Sequence, residues 1–403
     1  MSLAPQSPIV IVGGGVAGLG LAWALARRGV RDITLVEREQ APFRLSSGLN
    51  AGILRTAIDS PATRALTRRT ASLLREPPAD LADRPLVDHR GLIVVEGRPG
   101  GPLPWWAPEV TEAGEARLLE PDEVEDLASG YRAEGERAWL FADGGTIDVQ
   151  GLGSALEAAA RTAGVEIRTS AAVRELRTDA TGAIRGVLLA DGHELGASTV
   201  CLAAGAWAGV LGSQVGASFP GRPTRRHLFV TARDERIDPA APIVWDDAAG
   251  YYDRPEHGGL LLCVSDLDDC EALGSSEAPL PVDPLVARSA RRALLERRPE
   301  LAGLQLERGW AAVRTLTEDD TPVVGPDPSV PGLFWTAALG GHGMSLSLGL
   351  AELGAGLLCG EEDPLAERLA PDAPRRAWVP DRDWGTAGAS GSATGAETHG
   401  ALP

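Results

Sequence analysis

The sequence predicts an α/β fold with a second, mainly antiparallel β-sheet body, and three observations predict it. A short apolar run, Pro8 to Gly13, enters a glycine-rich turn and then a helical stretch, Val16 to Arg28. A second apolar run, Asp32 to Glu37, follows at once and completes a βαβ unit. Apolar runs of the same type return at Thr199–Ala204 and Leu333–Ala338, as when one parallel sheet is built from separated segments.

Between those returns the chain leaves the sheet twice. Gly29 stops the first helix, and Ser60-Pro61 marks the start of another, with a capping serine and proline in the first turn. From Arg84 to about Phe141 prolines cluster, Trp105, Trp106 and Trp139 appear, and one convincing strand stands at Gly91–Glu96. A helix over Asp148–Ala163 precedes short strands at Val165–Arg168, Ala172–Thr178 and Ile184–Leu189. His227–Thr231, Ile243–Trp245, Leu260–Val264 and Leu306–Thr315 read as antiparallel strands, interrupted by a helix over Asp283–Arg298. A glycine turn, Gly340–Gly343, then opens a helix running to about Cys359. The implied division assigns residues 1–83, 142–220 and 317–384 to a nucleotide-binding domain. Residues 84–141 and 221–316 form the second domain, and 385–403, rich in Gly, Ala, Ser and Thr, a disordered tail.

Composition narrows the function. No apolar run approaches the roughly 20 residues of a bilayer span, and the opening Met1–Pro8 has no cationic segment of a signal peptide, so a cytoplasmic location is expected. Cys201, Cys263, Cys270 and Cys359 are scattered without metal-ligand spacing, so free thiols and no metal are expected. A formal charge of −18 argues against nucleic acid as a partner. The chain contains no lysine, which removes lysine-anchored pyridoxal phosphate chemistry and a Walker-type triphosphate site.

Gly13, Gly15 and Gly18 form Gly-x-Gly-x-x-Gly between the first strand and helix, and Glu37 ends the second strand. Gly13 permits the tight turn, Gly15 lets a pyrophosphate approach the backbone, and Gly18 lets helix pack on strand. The amides of Val16 and Ala17 at the helix N-terminus face the anion, and Glu37 accepts from ribose hydroxyls. This is a dinucleotide site; the pattern alone does not separate FAD from NAD.

Further segments carry a resemblance. Val12-Gly-Gly-Gly-Val-Ala-Gly18, Gly145-Thr-Ile-Asp148, Cys201-Leu-Ala-Ala-Gly-Ala-Trp207, Trp310–Gly325 and Gly340-Gly-His-Gly-Met344, in this order, resemble the D-amino-acid oxidase superfamily of flavoenzymes. Glycine oxidase, sarcosine oxidase and D-arginine dehydrogenase belong to it. The resemblance implies a Rossmann-like FAD-binding domain, a β-sheet domain over the flavin, and FAD as cofactor. It places Glu37 and Arg38 at the ribose side, Val173 at the adenine, and Ala204, Gly205 and Trp207 along the cofactor. Gly340, Gly341, His342, Gly343 and Met344 fall at the flavin edge. His342 there either orients backbone or touches flavin or substrate. Ser47-Gly-Leu-Asn-Ala-Gly-Ile53 resembles the loop passing the pyrophosphate and ring, where Ser47, Asn50, Ala51 and Gly52 bind cofactor or cap the turn. Leu49 replaces the family arginine, and Ile53 takes the place of a histidine beside the substrate.

The chemistry so implied is hydride transfer from an amine-bearing carbon to flavin N5, giving an imine, with a D-amino acid or N-substituted glycine as substrate. Arg314 matches the arginine holding the substrate carboxylate and Tyr252 the tyrosine hydrogen-bonded to it; a surface ion pair and a core tyrosine are the plainer alternatives. Arg225 or Arg226 falls near another arginine of the family site, and the sequence leaves open which. Asp83 corresponds to an acidic residue for a cationic side chain, or is an exposed loop aspartate. Val313-Arg-Thr-Leu316 has no cysteine for a covalent flavin link, so FAD is expected to be noncovalent. The stretch Gly259–Cys263, where oxidases of this group carry a lysine, is apolar, so a quinone or dye is expected to outperform oxygen as electron acceptor. Two rival readings are a flavin monooxygenase or NAD(P)H-linked reductase, and a catalytically dead flavin-fold binding protein. No second Gly-x-Gly-x-x-Gly follows a strand to serve the first.

Overall fold

The computed structural model describes residues 8–56, 60–96, 103–104, 106–128, 130–133, 137–270 and 280–373. Trp105 and the expected tail after residue 384 lie outside them. A six-stranded sheet forms the first body, in the order Val323–Pro326, Leu333–Ala337, Thr199–Leu202, Ile9–Val12, Ile33–Val36 and Glu166–Arg168. All pairs are parallel except the edge hairpin Val323–Pro326 with Leu333–Ala337. Both faces of this sheet are covered, so its strands are apolar on both sides. Ile9 and Ile11 point into one core with the helices Val16–Arg27, Val149–Thr162 and Gly343–Leu358. Val10 and Val12 point into another, under the antiparallel meander Val173–Thr178, Ile184–Leu189 and Glu194–Gly196.

The second body is a nine-stranded sheet. Leu92–Glu96, Ala116–Leu119 and Arg137–Phe141 come from the first excursion; the two latter strands, and the short helices Ala107–Glu112 and Pro121–Leu127, had no clear sequence signal. Arg222–Thr231, Ile243–Asp246, Tyr251–Glu256, Gly259–Cys263, Asp268–Asp269 and Leu306–Leu316 come from the second. Its only parallel pair among the described residues is Leu92–Glu96 with Ile243–Asp246. Alternation assigns the faces. Phe229 and Tyr251 enter a core with Ala290 and Leu294 of the helix Pro284–Arg297. Leu228, Val230, Tyr252 and Cys263 enter one shared with Ala51 and Ile53 of the N-terminal segment. This second face looks onto the first body.

Ser60 caps the helix Pro61–Arg75 by accepting from the Thr63 amide at 3.5 Å. Among the described residues no helix is long and apolar enough to cross a membrane.

Candidate active site

A cleft of about 2880 Å³ runs between the two bodies, lined by both. At one end stands the glycine turn. Gly13 has φ +110°, and a Cβ there would lie 2.4 Å from the Ala203 carbonyl oxygen; a Cβ at Gly18 would lie 1.9 Å from the Gly13 oxygen. Glycine is needed at both, which brings strand, turn and helix into one compact cradle. Ser47 Oγ accepts from the Val16 amide at 2.9 Å, taking the helix-terminal donor that a phosphate oxygen uses. Glu37 accepts from the Gly14 amide at 2.6 Å and the Glu39 amide at 2.7 Å, which fixes its carboxylate beside the turn. Arg38 stacks over Trp207, 4.0 Å from the ring centroid, and its Nη2 is buried without a hydrogen bond. Val173, Ala204 and Gly205 line the same end, and beside Gly205 a Cβ would meet nothing within 4 Å. Asn50 caps its own loop, donating to the Ser47 carbonyl at 2.7 Å and accepting from the Gly52 amide at 2.7 Å.

At the other end the nine-stranded sheet supplies side chains. Arg314 and Arg226 stand on adjacent antiparallel strands, in a register that pairs Arg226 with Ala312 and Thr224 with Arg314. Cross-strand partners share a face and alternation keeps the parity, so both arginines point to the cleft. Arg225 points the other way and pairs with Asp268 at 3.0 Å. Trp245, Tyr252 and Cys263 lie abreast on three neighbouring strands, and Trp245 stacks on Tyr252 at 4.5 Å. Behind Arg226, Asp266 sits 4.0 Å from its Nε. His227 Nδ1 lies 2.7 Å from Asp266, and its Nε2 accepts from the Asp283 amide at 3.1 Å, so neither ring nitrogen is left for a metal.

Burial, with Arg226 adding repulsion, lowers the Arg314 guanidinium to about 10, while Asp320 acts in the opposite sense. Arg314 Nε is buried without a hydrogen bond. His342 precedes the helix Gly343–Leu358, with Nδ1 3.6 Å from Asp320 Oδ2. Burial first, then Arg55, Arg314 and Arg226, drive its imidazole down to about 3, so it is neutral. Gly340, Gly341, Gly343 and Met344 line the cleft beside it, as does Ile53 from the facing strand.

Asp83 is a correction. It is exposed in the turn after Pro61–Arg75 and does not line the cleft. Its loop is held at the far end of the first helix, where Trp23 Nε1 donates to Asp80 at 3.0 Å, whereas the cleft lies at that helix's N-terminus. Sequence reasoning also missed Arg55, Trp245, Asp247 and Asp320. Arg55 pairs with Asp247 at 3.0 Å and lies 4.3 Å over Trp245. Its signal was its place two residues beyond Ile53, just past the loop Ser47–Ile53 already singled out.

The family model for FAD dependent oxidoreductases of the DAO type matches residues 8–357. The chain belongs to this family. FAD is accordingly its cofactor, and the glycine cradle, the fixed Glu37 and the open face at Gly205 fit that group. Glycine oxidase of Pseudomonas aeruginosa is 29% identical over 390 residues, covering 91% of this chain and 98% of the relative. Glycine oxidase of Geobacillus kaustophilus is 26% identical, covering 84% and 89%. The crystal structure of that Geobacillus protein superposes with a TM-score of 0.72 at 23% identity, covering 89% of this chain and 96% of that one. L-proline dehydrogenase from P. horikoshii superposes with a TM-score of 0.77 at 19% identity, covering 92% and 98%. This family member is thus an FAD-dependent oxidoreductase of mixed α/β fold.

Proposed function

We propose that this enzyme oxidises a small carboxylated amine, a D-amino acid or an N-substituted glycine. The observation that carries the reading is Arg314, a buried guanidinium with no hydrogen bond or ion pair among the described residues, standing in the cleft beside Arg226 and Tyr252. Two planar cations on one sheet face suit a carboxylate, which each binds with parallel hydrogen bonds. Tyr252, 6% exposed and held flat by Trp245, has a hydroxyl to add. FAD, when bound, accepts the hydride leaving the amine-bearing carbon. The chain's own task is to hold that carbon by its carboxylate and to keep water out, which the packed Trp245–Tyr252–Cys263 row favours. Glycine oxidase among the relatives accords with an amine carrying a carboxylate. The test is anaerobic mixing with a panel of D-, L- and N-methyl amino acids, followed by the loss of flavin absorbance. Bleaching by NADPH but by no member of the panel would overturn the reading in favour of a reductase.

The electron acceptor follows from the same wall. The chain has no lysine, and in this reading Arg226 and Arg314 are engaged on the carboxylate and Arg55 on Asp247, so these three cations of the substrate end are not left for incoming oxygen. A quinone or dye is therefore expected to sustain faster turnover than air. Full turnover in air with stoichiometric peroxide would show an oxidase instead. FAD is expected to be released intact on acid precipitation, since Val313–Leu316 carries no cysteine.

A further inference from the structure

Asp320 ends the turn after Leu306–Leu316, where its amide donates to the Thr317 carbonyl at 3.2 Å. Its φ is +53°, in the left-handed region that L side chains enter at a cost. Its Oδ1 is buried with no hydrogen bond, and none reaches Oδ2 from the described residues. The side chain keeps 28% of its surface open and lines the cleft. Gly340 makes room for it: a Cβ there would lie 2.5 Å from Asp320 Oδ1. An aspartate held in strain, with an unsatisfied carboxylate in a cleft, calls for a cation. Arg314 is the strongest positive influence on it, yet no hydrogen bond or ion pair joins the two. The site thus holds an unspent guanidinium and an unspent carboxylate side by side, the complement of a zwitterion.

We propose that Asp320 is the amine-binding residue of the site: it receives the substrate's ammonium group while Arg314 receives the carboxylate, and it takes one proton from that ammonium to leave a neutral amine. The inference rests on the carboxylate anchor proposed above. In the proton step an N–H bond breaks and an O–H bond forms on Asp320; the electron pair stays on nitrogen, ready to assist loss of the hydride. Burial pushes the carboxyl up to about 6, against the pull of Arg314, Arg226 and Arg55 and with Asp319 adding to the rise. His342, the remaining neighbour, is neutral. Asp320 is therefore ionised at neutral pH and basic enough to hold a proton.

The probes are two acids of equal shape that have no hydrogen on the α-carbon: 2-aminoisobutyrate, a zwitterion, and pivalate, a plain anion. Binding to the FAD-loaded enzyme is read by calorimetry and by the shift of the flavin spectrum. Asp320→Asn tolerates a left-handed φ and keeps the shape while removing the charge. It is expected to weaken 2-aminoisobutyrate about ten-fold or more and to leave pivalate unchanged or tighter. Asp320→Gly should repeat that shift while raising the melting temperature, because the strain is relieved. In the wild type the preference for the zwitterion should fade below about pH 6 as Asp320 protonates, and in Asp320→Asn it should be flat. If both acids tighten together in Asp320→Asn, Asp320 is only a counter-charge for Arg314 and the proposal is overturned. If the wild type binds neither acid, the carboxylate anchor itself fails, and this inference with it. Pivalate binding that disappears in Arg314→Ala confirms the anchor separately, so the two failures are distinguishable.

Discussion

At one end of the cleft the chain offers main chain: Gly13 packs against the Ala203 carbonyl, and Ser47 and Glu37 reach the amides of Val16 and Gly14. At the other end it offers side chains standing out of a sheet, with Arg226, Arg314, Tyr252 and Trp245 brought together by cross-strand register. The first arrangement tolerates almost no change in shape, because its parts are backbone atoms in van der Waals contact. The second tolerates changes of shape but not of charge. Loss of cofactor and loss of substrate recognition should therefore separate cleanly by region.

The strongest attempt to break that separation is Gly13→Ala. The added methyl meets a carbonyl oxygen at a φ of +110°, which should cost about 3 kcal/mol or more. The expected result is a protein with little bound FAD and a lowered melting temperature; a normal FAD content would refute the cradle. Next comes Arg314→Ala. Losing a charge-assisted pair should lower substrate efficiency by about ten- to a hundred-fold, with FAD content unchanged; wild-type kinetics would make Arg314 structural only. Arg226→Ala should fall in the same direction. Arg225→Ala, on the opposite face, removes a surface pair worth no more than about 0.5 kcal/mol and should leave kinetics alone. Equal losses in the two would overturn the assignment of faces.

The smallest effect is on pH dependence. A histidine lowered to about 3 is neutral from pH 5 upward, and its protonated form gains population only as pH falls toward that value. His342→Gln can therefore change the rate, but the shape of its kcat/KM profile between pH 5 and 9 should superimpose on the wild type. An inflection near pH 6.5 that vanishes in the variant would show that the imidazole titrates there.

The same contrast explains what was legible in the sequence. Glycines at fixed spacing after an apolar run can be read because the constraint is local: strand, turn and helix are neighbours in the chain. The parallel strands were legible for a similar reason, their apolar character being continuous. The substrate end depends on which residues of distant strands face each other. Arg225 and Arg226 differ only in parity, and parity is set by pairing with Leu306–Leu316, some eighty residues later. Asp83 looked suitable by its neighbours in sequence, yet its loop is tied to the wrong end of a helix. Asp320 was hidden in an acidic stretch, Thr317-Glu-Asp-Asp-Thr321, where its backbone angle and its unpartnered Oδ1 distinguish it from Asp319, which accepts from Thr317 and Thr321. The strands Ala116–Leu119 and Arg137–Phe141 lacked regular alternation between prolines and glycines; Arg137–Phe141 is held in the sheet by pairing with Leu92–Glu96, and Ala116–Leu119 by pairing with Arg137–Phe141.

The cradle begins at Gly13 and closes at the N-terminus of Gly343–Leu358, a helix buried along most of its length against Val16–Arg27. At about 5–20 residues per second, a ribosome finishes the first βαβ unit well before the last part of the cradle exists. No fragment ending before Gly340 contains the whole site, however well its first strands pair. Cofactor capture is in this sense a late event in the life of the chain, and a yellow protein is one whose helix Gly343–Leu358 has already docked.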